Sequence, residues 1–320
     1  MGSVELCYIL NRNITIYRGV HLDIIILGGF LGSGKTTLLQ QLLQYQQSQG
    51  LKTYVLMNEF GQYSVDHLLV DDDVPLKKLL NGCICCDLKV DVEIQLHQLY
   101  LLHQPDCIII ESSGVAHPVE ILDACLSPVL APFTTIKALI GVIDGTLIQR
   151  FSILTADIKQ LLIEQIKYCS TLLINKSDQL GDELEKVISD VRQIASTNQI
   201  IETQYCQLDD INVLFKNSVS SDYETTSRRS HSGIKSISCK LGRPLDAEQF
   251  AEWLEQLPSS IFRIKGILSF TEKPDTLYLV QYTNGTIETR EIPIKIPPYL
   301  VIIGEQMDKE SIKDEIEHMQ

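Results

Sequence analysis

The sequence predicts an α/β protein: a doubly wound, mostly parallel sheet of the P-loop NTPase type, followed by a second, smaller α+β domain. Three observations carry that expectation. Strand-length apolar runs alternate with helix-period segments through residues 22–216. A glycine-rich segment, Gly28 to Thr37, lies between the first strand and the first helix, and its stretch Gly29 to Thr36 fits G-x-x-x-x-G-K-[ST]. Near residue 216 the texture changes to a Ser/Thr-rich stretch, and a new set of strands and helices follows.

The strands expected in the first domain are 23–27, 53–57, 76–80, 107–110, 138–143, 171–174 and 199–203. Most read as continuous apolar runs, which suits parallel strands covered on both faces. Helical periodicity occupies 36–48, 88–102, 119–126, 157–167 and 182–195. Residues 1–21 form an N-terminal extension, 22–216 the nucleotide-binding domain, 217–232 a linker and 233–320 the C-terminal domain. In that last domain a strand at 234–239, a helix at 246–257 and a strand at 262–270 precede a hairpin turning at Asn284-Gly285. A strand at 299–303 and a charged helix at 308–318 close the chain.

Composition narrows the function classes. Asp and Glu number 41 against 27 Lys and Arg, so the net charge of −14 argues against nucleic acid and against anionic membranes. No apolar run has membrane-spanning length, and Met1 to Val20 lacks the pattern of a secretory signal. Nine cysteines in no regular framework suggest reduced thiols and a cytoplasmic setting.

The first chemistry is phosphate binding. Gly29, Gly32, Ser33 and Gly34 supply a loop whose N–H groups can wrap a pyrophosphate, and Lys35 neutralises the β- and γ-phosphates. The hydroxyl of Thr36 can ligate Mg²⁺, with Thr37 next in the helix. The second is base choice. Asn175-Lys176-Ser177-Asp178 follows a buried strand and resembles the guanine-recognition N-K-x-D of P-loop GTPases. A buried carboxylate at Asp178 would reject adenine, because a mismatch leaves it unpaired. Taken alone the segment also reads as a turn; with the upstream phosphate loop it points to GTP. No base-supporting segment is recognisable near Ser196, Thr197 and Asn198.

The third is a thiol cluster, Asn81-Gly82-Cys83-Ile84-Cys85-Cys86, directly after a strand. Three soft ligands within four residues suit Zn²⁺, or Co²⁺, with one coordination position open for transfer. A redox pair and inert core cysteines are the competing readings; Cys107, Cys125 and Cys169, inside apolar runs, are of the latter kind.

These motifs occur in one order: the phosphate loop, Asn58-Glu59-Phe60-Gly61, the Cys-x-Cys-Cys after Asn-Gly, Glu111-Ser112-Ser113-Gly114 and the N-K-x-D. Together they resemble the CobW-like GTPases, SIMIBI-class P-loop proteins that include zinc or cobalt metallochaperones. Arg263 to Ile267 and the strand 299–303 resemble that family's C-terminal domain. The resemblance implies that Glu111 is the acid that holds Mg²⁺ through water. It further implies that Gly114 reports the γ-phosphate through its N–H, and that Glu59 is a metal ligand or hydrolysis partner. Metal would sit on Cys83, Cys85, Cys86 and Glu59, and residues 58–66 and 82–87 would be switch segments. Slow GTP hydrolysis would gate delivery to a client metalloprotein or a metal-cofactor biosynthesis enzyme; the resemblance also admits a homodimer. His117 reads first as a loop residue. A passive zinc-binding protein and a small-molecule P-loop kinase are the rival classes, the second having no use for the thiol cluster.

Overall fold

The computed structural model describes residues 21–57, 76–78, 88–114, 116–195, 198–216, 220–221, 234–283, 285–293 and 296–320. In the first domain the strands are β1 (Leu22–Gly28), β2 (Thr53–Met57), β3 (Leu76–Lys78), β4 (Cys107–Glu111), β5 (Thr134–Asp144), β6 (Thr171–Asn175) and β7 (Gln199–Glu202). They form one sheet in the order β3-β2-β4-β1-β5-β6-β7, and every pairing in it is parallel. The helices are α1 (Lys35–Ser48), α2 (Leu88–His103), α3 (Pro118–Cys125), α4 (Gly145–Gln149), α5 (Ala156–Tyr168) and α6 (Leu184–Ile194).

Strand β1 explains the layering. Ile24 and Ile26 pack on one side of the sheet with α2, α3, α5 and α6, while Ile25 and Leu27 pack on the other with α1. The unbroken apolar run Ile24 to Leu27 is what a strand covered on both faces requires. Because β1 lies between β4 and β5, its carboxyl end borders the crevice where strand order reverses, the usual ligand position in such sheets.

Two elements depart from expectation. Strand β5 begins at Thr134 rather than 138; Thr135 and Lys137 interrupt the apolar run, yet Thr135 pairs with Asp23 of β1, and Lys137, at the register shift beyond it, brings its Nζ 3.3 Å from Asp23 Oδ2. The short α4 has no periodicity to announce it. It starts because Asp144, at the end of β5, accepts from Thr146 N and Oγ1 and caps it.

The second domain contains β8 (Ser220–Ser221), β9 (Ile234–Lys240), β10 (Ile261–Phe270), β11 (Lys273–Thr283), β12 (Thr286–Ile292) and β13 (Tyr299–Glu305), with α7 (Ala247–Glu255) and α8 (Lys309–His318). Their order is β12-β11-β10-β13-β9-β8. Residues 220 and 221, expected as linker, run parallel to β9 at its edge. Alternation divides the faces. Ile264, Leu268, Leu300 and Ile302 pack with α7 and α8, whereas Ile234, Tyr299, Val301 and Ile303 join the core of the first domain.

A buried charge cluster pins this seam. Lys265 Nζ lies 3.2 Å from Asp123 Oδ1, 3.1 Å from the Asp123 carbonyl and 3.7 Å from Glu93 Oε2; Arg263 Nε also reaches Asp123 at 3.2 Å. Asp123 sits in the last turn of α3, where the helix dipole favours a cation.

Candidate functional site

The phosphate loop is shaped by backbone that only glycine tolerates. Gly29 has φ +136°, and a Cβ there would stand 2.2 Å from the Val142 carbonyl oxygen on β5. Gly32 also has positive φ, and Gly34 is the left-handed N-cap of α1. No side chain caps α1, so its first turn faces the loop as an anion site. Lys35 is buried, and its Nζ donates to the carbonyls of Gly29 at 2.8 Å and Phe30 at 3.0 Å. The ammonium is thereby held in the curl of the loop. Ser33 is buried with its hydroxyl unpaired among the described residues, whereas Thr37 is exposed on α1.

Thr36 meets Glu111 across the crevice. Glu111 ends β4, in register with Leu27 and Met57, and its Oε1 accepts from Thr36 Oγ1 at 3.0 Å. A hydroxyl and a buried carboxylate at this spacing form a hard oxygen donor set of the kind that suits Mg²⁺. Next comes Ser112, whose N–H and hydroxyl both donate to the Leu27 carbonyl. Gly114 follows, so close to the phosphate loop that a Cβ would lie 2.7 Å from Leu31 N. His117, expected as a loop residue, caps α3 through Val119 N and faces Glu164 Oε2 at 3.2 Å.

At the other end Asn175 works as a brace. Its Nδ2 donates to the Ser33 carbonyl at 2.8 Å, while its Oδ1 accepts from Cys206 N at 2.9 Å and Thr203 Oγ1 at 3.3 Å. One side chain thus ties the phosphate loop to the segment leaving β7. Lys176 adopts φ +61°, and its Nζ pairs with Asp144 Oδ2 at 2.5 Å. Burial alone would raise the Asp144 carboxyl, but hydrogen bonds from Lys176 and Thr146 outweigh it and hold the group below its ordinary value. Asp178 lies on a short 3-10 turn after β6 that leaves its side chain exposed, which corrects the expectation of a buried carboxylate.

Three contributors escaped the sequence reading. Asp144 orients Lys176, and the only clue is an acid directly after an apolar strand. Thr203 to Cys206 lies beside the N-K-x-D turn, since Ser177 N and Oγ both bond the Thr203 carbonyl. Tyr205 and Cys206 there take positive φ, a strained pair that no glycine announces. Asn198, where no base-supporting segment was recognisable, donates to carbonyls at the end of α5. The third, Gln165, donates to the Gly114 carbonyl at 3.2 Å.

The phosphate residues, Glu111, Gly114, Asn175, Lys176 and Asp178 therefore gather along the carboxyl edge of β1, β4 and β6. Glu59, Cys83, Cys85 and Cys86, with both expected switch segments, lie outside the described residues. Among the described residues no group of three or more His, Cys, Asp or Glu side chains could hold a metal. Cys107, Cys125 and Cys169 are buried, as expected, together with Cys206 and Cys239. Burial pushes the Cys169 and Cys206 thiols up to about 12, which keeps them protonated and inert. No described helix is long and apolar enough to cross a membrane.

Comparison with known proteins agrees with this layout. Residues 23–202 match the family described as "CobW/HypB/UreG, nucleotide-binding domain", and 234–320 match "Cobalamin synthesis protein cobW C-terminal domain". The zinc chaperone YeiR of Escherichia coli is 31% identical over 58% of this chain and 56% of its own length. The zinc chaperone YjiA of the same organism is 30% identical over 91% of the chain and 96% of its length. A Schizosaccharomyces pombe protein named zinc-regulated GTPase metalloprotein activator 1 is 30% identical over 89% of the chain and 83% of its length. The chain thus spans little more than half of YeiR and nearly all of YjiA. With one family description covering more than half of the sequence and a second covering the C-terminal sheet, the chain belongs to the CobW/HypB/UreG family.

Proposed function

We infer that this chain is a GTP-hydrolysing metallochaperone of the cytoplasm. It takes Zn²⁺, or Co²⁺, on Cys83, Cys85 and Cys86 with Glu59, and passes it to a client metalloprotein or a metal-cofactor biosynthesis enzyme under control of the bound nucleotide. The observation that carries the nucleotide half is the Thr36–Glu111 contact at 3.0 Å, with Lys35 buried in the adjoining loop. The metal half rests on the thiol cluster in the sequence and on the zinc-handling names of the relatives.

In this reading Lys35, the loop N–H groups and Gly114 N–H bind and orient the triphosphate. Thr36 and Glu111 hold Mg²⁺, which when bound spreads the charge of the β- and γ-phosphates. Asn175 fixes the distance between phosphate and base ends, and Asp178 accepts from the guanine ring. The sequence offers no arginine finger or water-orienting glutamine that can be assigned, and slow intrinsic turnover is the expectation. Metal binding and nucleotide state then influence each other reciprocally.

The deciding experiment is a competition titration of Zn²⁺ and Co²⁺ with GTPγS, with GDP and without nucleotide, under reducing conditions. Tightening with the GTP analogue, lost in Cys85→Ser with folding intact, supports the gated carrier. Equal affinity in all three states leaves a GTPase with an incidental metal site. Turnover of ATP in place of GTP, or phosphorylation of an added acceptor, would overturn the nucleotide half.

A further inference from the structure

The turn after β4 is gripped by two consecutive residues of α5. Gln165 is fully buried; its Nε2 donates to the Gly114 carbonyl at 3.2 Å, while its Oε1 has no hydrogen-bond partner among the described residues. Its neighbour Glu164 holds His117 at 3.2 Å. On its other side Gly114 presses on Leu31 of the phosphate loop. The buried amide is thus committed through its nitrogen to the backbone of the turn after β4.

The same helix continues into the C-terminal sheet. Lys167 Nζ pairs with Glu305 Oε1 of β13 at 3.2 Å. The Tyr168 ring meets Phe262 of β10 edge-on at 5.8 Å and lies 5.6 Å from the His117 ring. Asn198 seals the helix end, donating to Ile166 O at 3.0 Å and Cys169 O at 2.7 Å, so the last turn is tied as a unit. Contacts joined by α5 therefore run from the phosphate loop to the C-terminal sheet: Leu31 to Gly114 and Gly114 to Gln165 at one end, Tyr168 to Phe262 of β10 and Lys167 to Glu305 of β13 at the other.

We propose that Gln165 is a positioning residue that aims Gly114 at the γ-phosphate, and that α5 transmits the resulting shift to the C-terminal sheet. By holding the Gly114 carbonyl, Gln165 anchors the peptide plane on the C-terminal side of Gly114 and so limits how far this turn can shift relative to the phosphate loop. A nucleotide with a γ-phosphate pulls the turn toward Leu31, and Gln165 moves with it. The effect is reciprocal: a partner that reseats β10 or β13 changes preference for triphosphate over diphosphate. This rests on the guanine-nucleotide reading above and adds the route by which that site reaches the second domain.

The test uses the full chain with two readouts, nucleotide affinity and amide hydrogen exchange of β10 and β13, in GTPγS and in GDP. The wild type should exchange differently in the two states. Gln165→Met should weaken GTPγS about tenfold while GDP stays within about twofold, and should erase the exchange difference. Equal weakening of both nucleotides would mean a merely structural role and overturn the proposal. Tyr168→Leu covers the case in which Gln165→Met does not fold; it should keep both affinities within about twofold yet shrink the exchange difference. Normal GTPγS binding with identical wild-type exchange in both states would overturn the relay and leave the nucleotide reading standing. Failure to bind GTPγS would overturn the nucleotide reading, and the relay with it.

Discussion

The phosphate end and the base end of the site are built by different means. At the phosphate end the fold acts through backbone: Gly29 lies where a Cβ would strike Val142, and Lys35 bonds carbonyls of its own loop. At the base end side chains brace one another across long stretches of sequence: Asn175 to Ser33 and Cys206, Lys176 to Asp144. Local backbone constraint leaves a compact motif; a brace between distant segments does not. The two ends should also fail differently. Phosphate-end changes should abolish binding, whereas base-end changes should grade it.

The largest effect is expected from Gly29→Ala. The added Cβ has no room and the φ is wrong for alanine, so guanine-nucleotide binding should disappear and stability should fall by about 2–4 kcal/mol in denaturant titration. A variant that binds GTP normally would show that the loop relaxes and that the contrast is overdrawn. Next is Lys35→Ala, which should lower GTP turnover about a hundredfold or more with little change in melting temperature. Glu111→Gln keeps the hydrogen bond to Thr36 available but removes the charge. It should raise the Mg²⁺ concentration needed for turnover about tenfold or more, read by magnesium titration.

Asn175→Ala tests the brace. It strands the Ser33 carbonyl and the Cys206 N–H, so about 1–3 kcal/mol of stability should be lost and GTP should bind more weakly, by calorimetry. Asp144 gives the smallest and most specific effect. Its carboxyl is held below the ordinary value, so its contribution is present above the unfolded carboxylate range and is lost as pH falls through the folded value. Melting temperature against pH should therefore drop less steeply below about pH 4 in Asp144→Asn than in wild type. Parallel curves would remove Lys176–Asp144 from the brace.

The same contrast explains what could be read in advance. Both sheets, nearly every long element and all phosphate-loop residues were legible, because apolar runs, helical periods and glycines are local signals. Strand β5 was shortened because polar Thr135 is tolerated where it pairs with Asp23, and polar Lys137 where it reaches the Asp23 carboxylate from the register shift. Asn198 carried no role in the sequence, because its three-dimensional neighbours, the last carbonyls of α5, lie some thirty positions earlier in the chain. Asp144 and Gln165 were missed for the same reason: each acts on a backbone or side chain brought near only by crossover. The exposure of Asp178 was not legible, because it depends on the tertiary surroundings of the turn after β6 and not on the N-K-x-D spelling.

The charge cluster at the seam has one more consequence. Removing residues 234–320 would strip Asp123 of Lys265 and Arg263 and would uncover the apolar groups that Val301 and Ile303 now cover. Cutting the chain there would leave a buried carboxylate without its cations on one fragment and an oily sheet face on the other. The two halves are thus mutual chaperones of each other's surfaces. Heating should melt them in a single calorimetric transition, and neither half expressed alone should stay in solution as well as the whole.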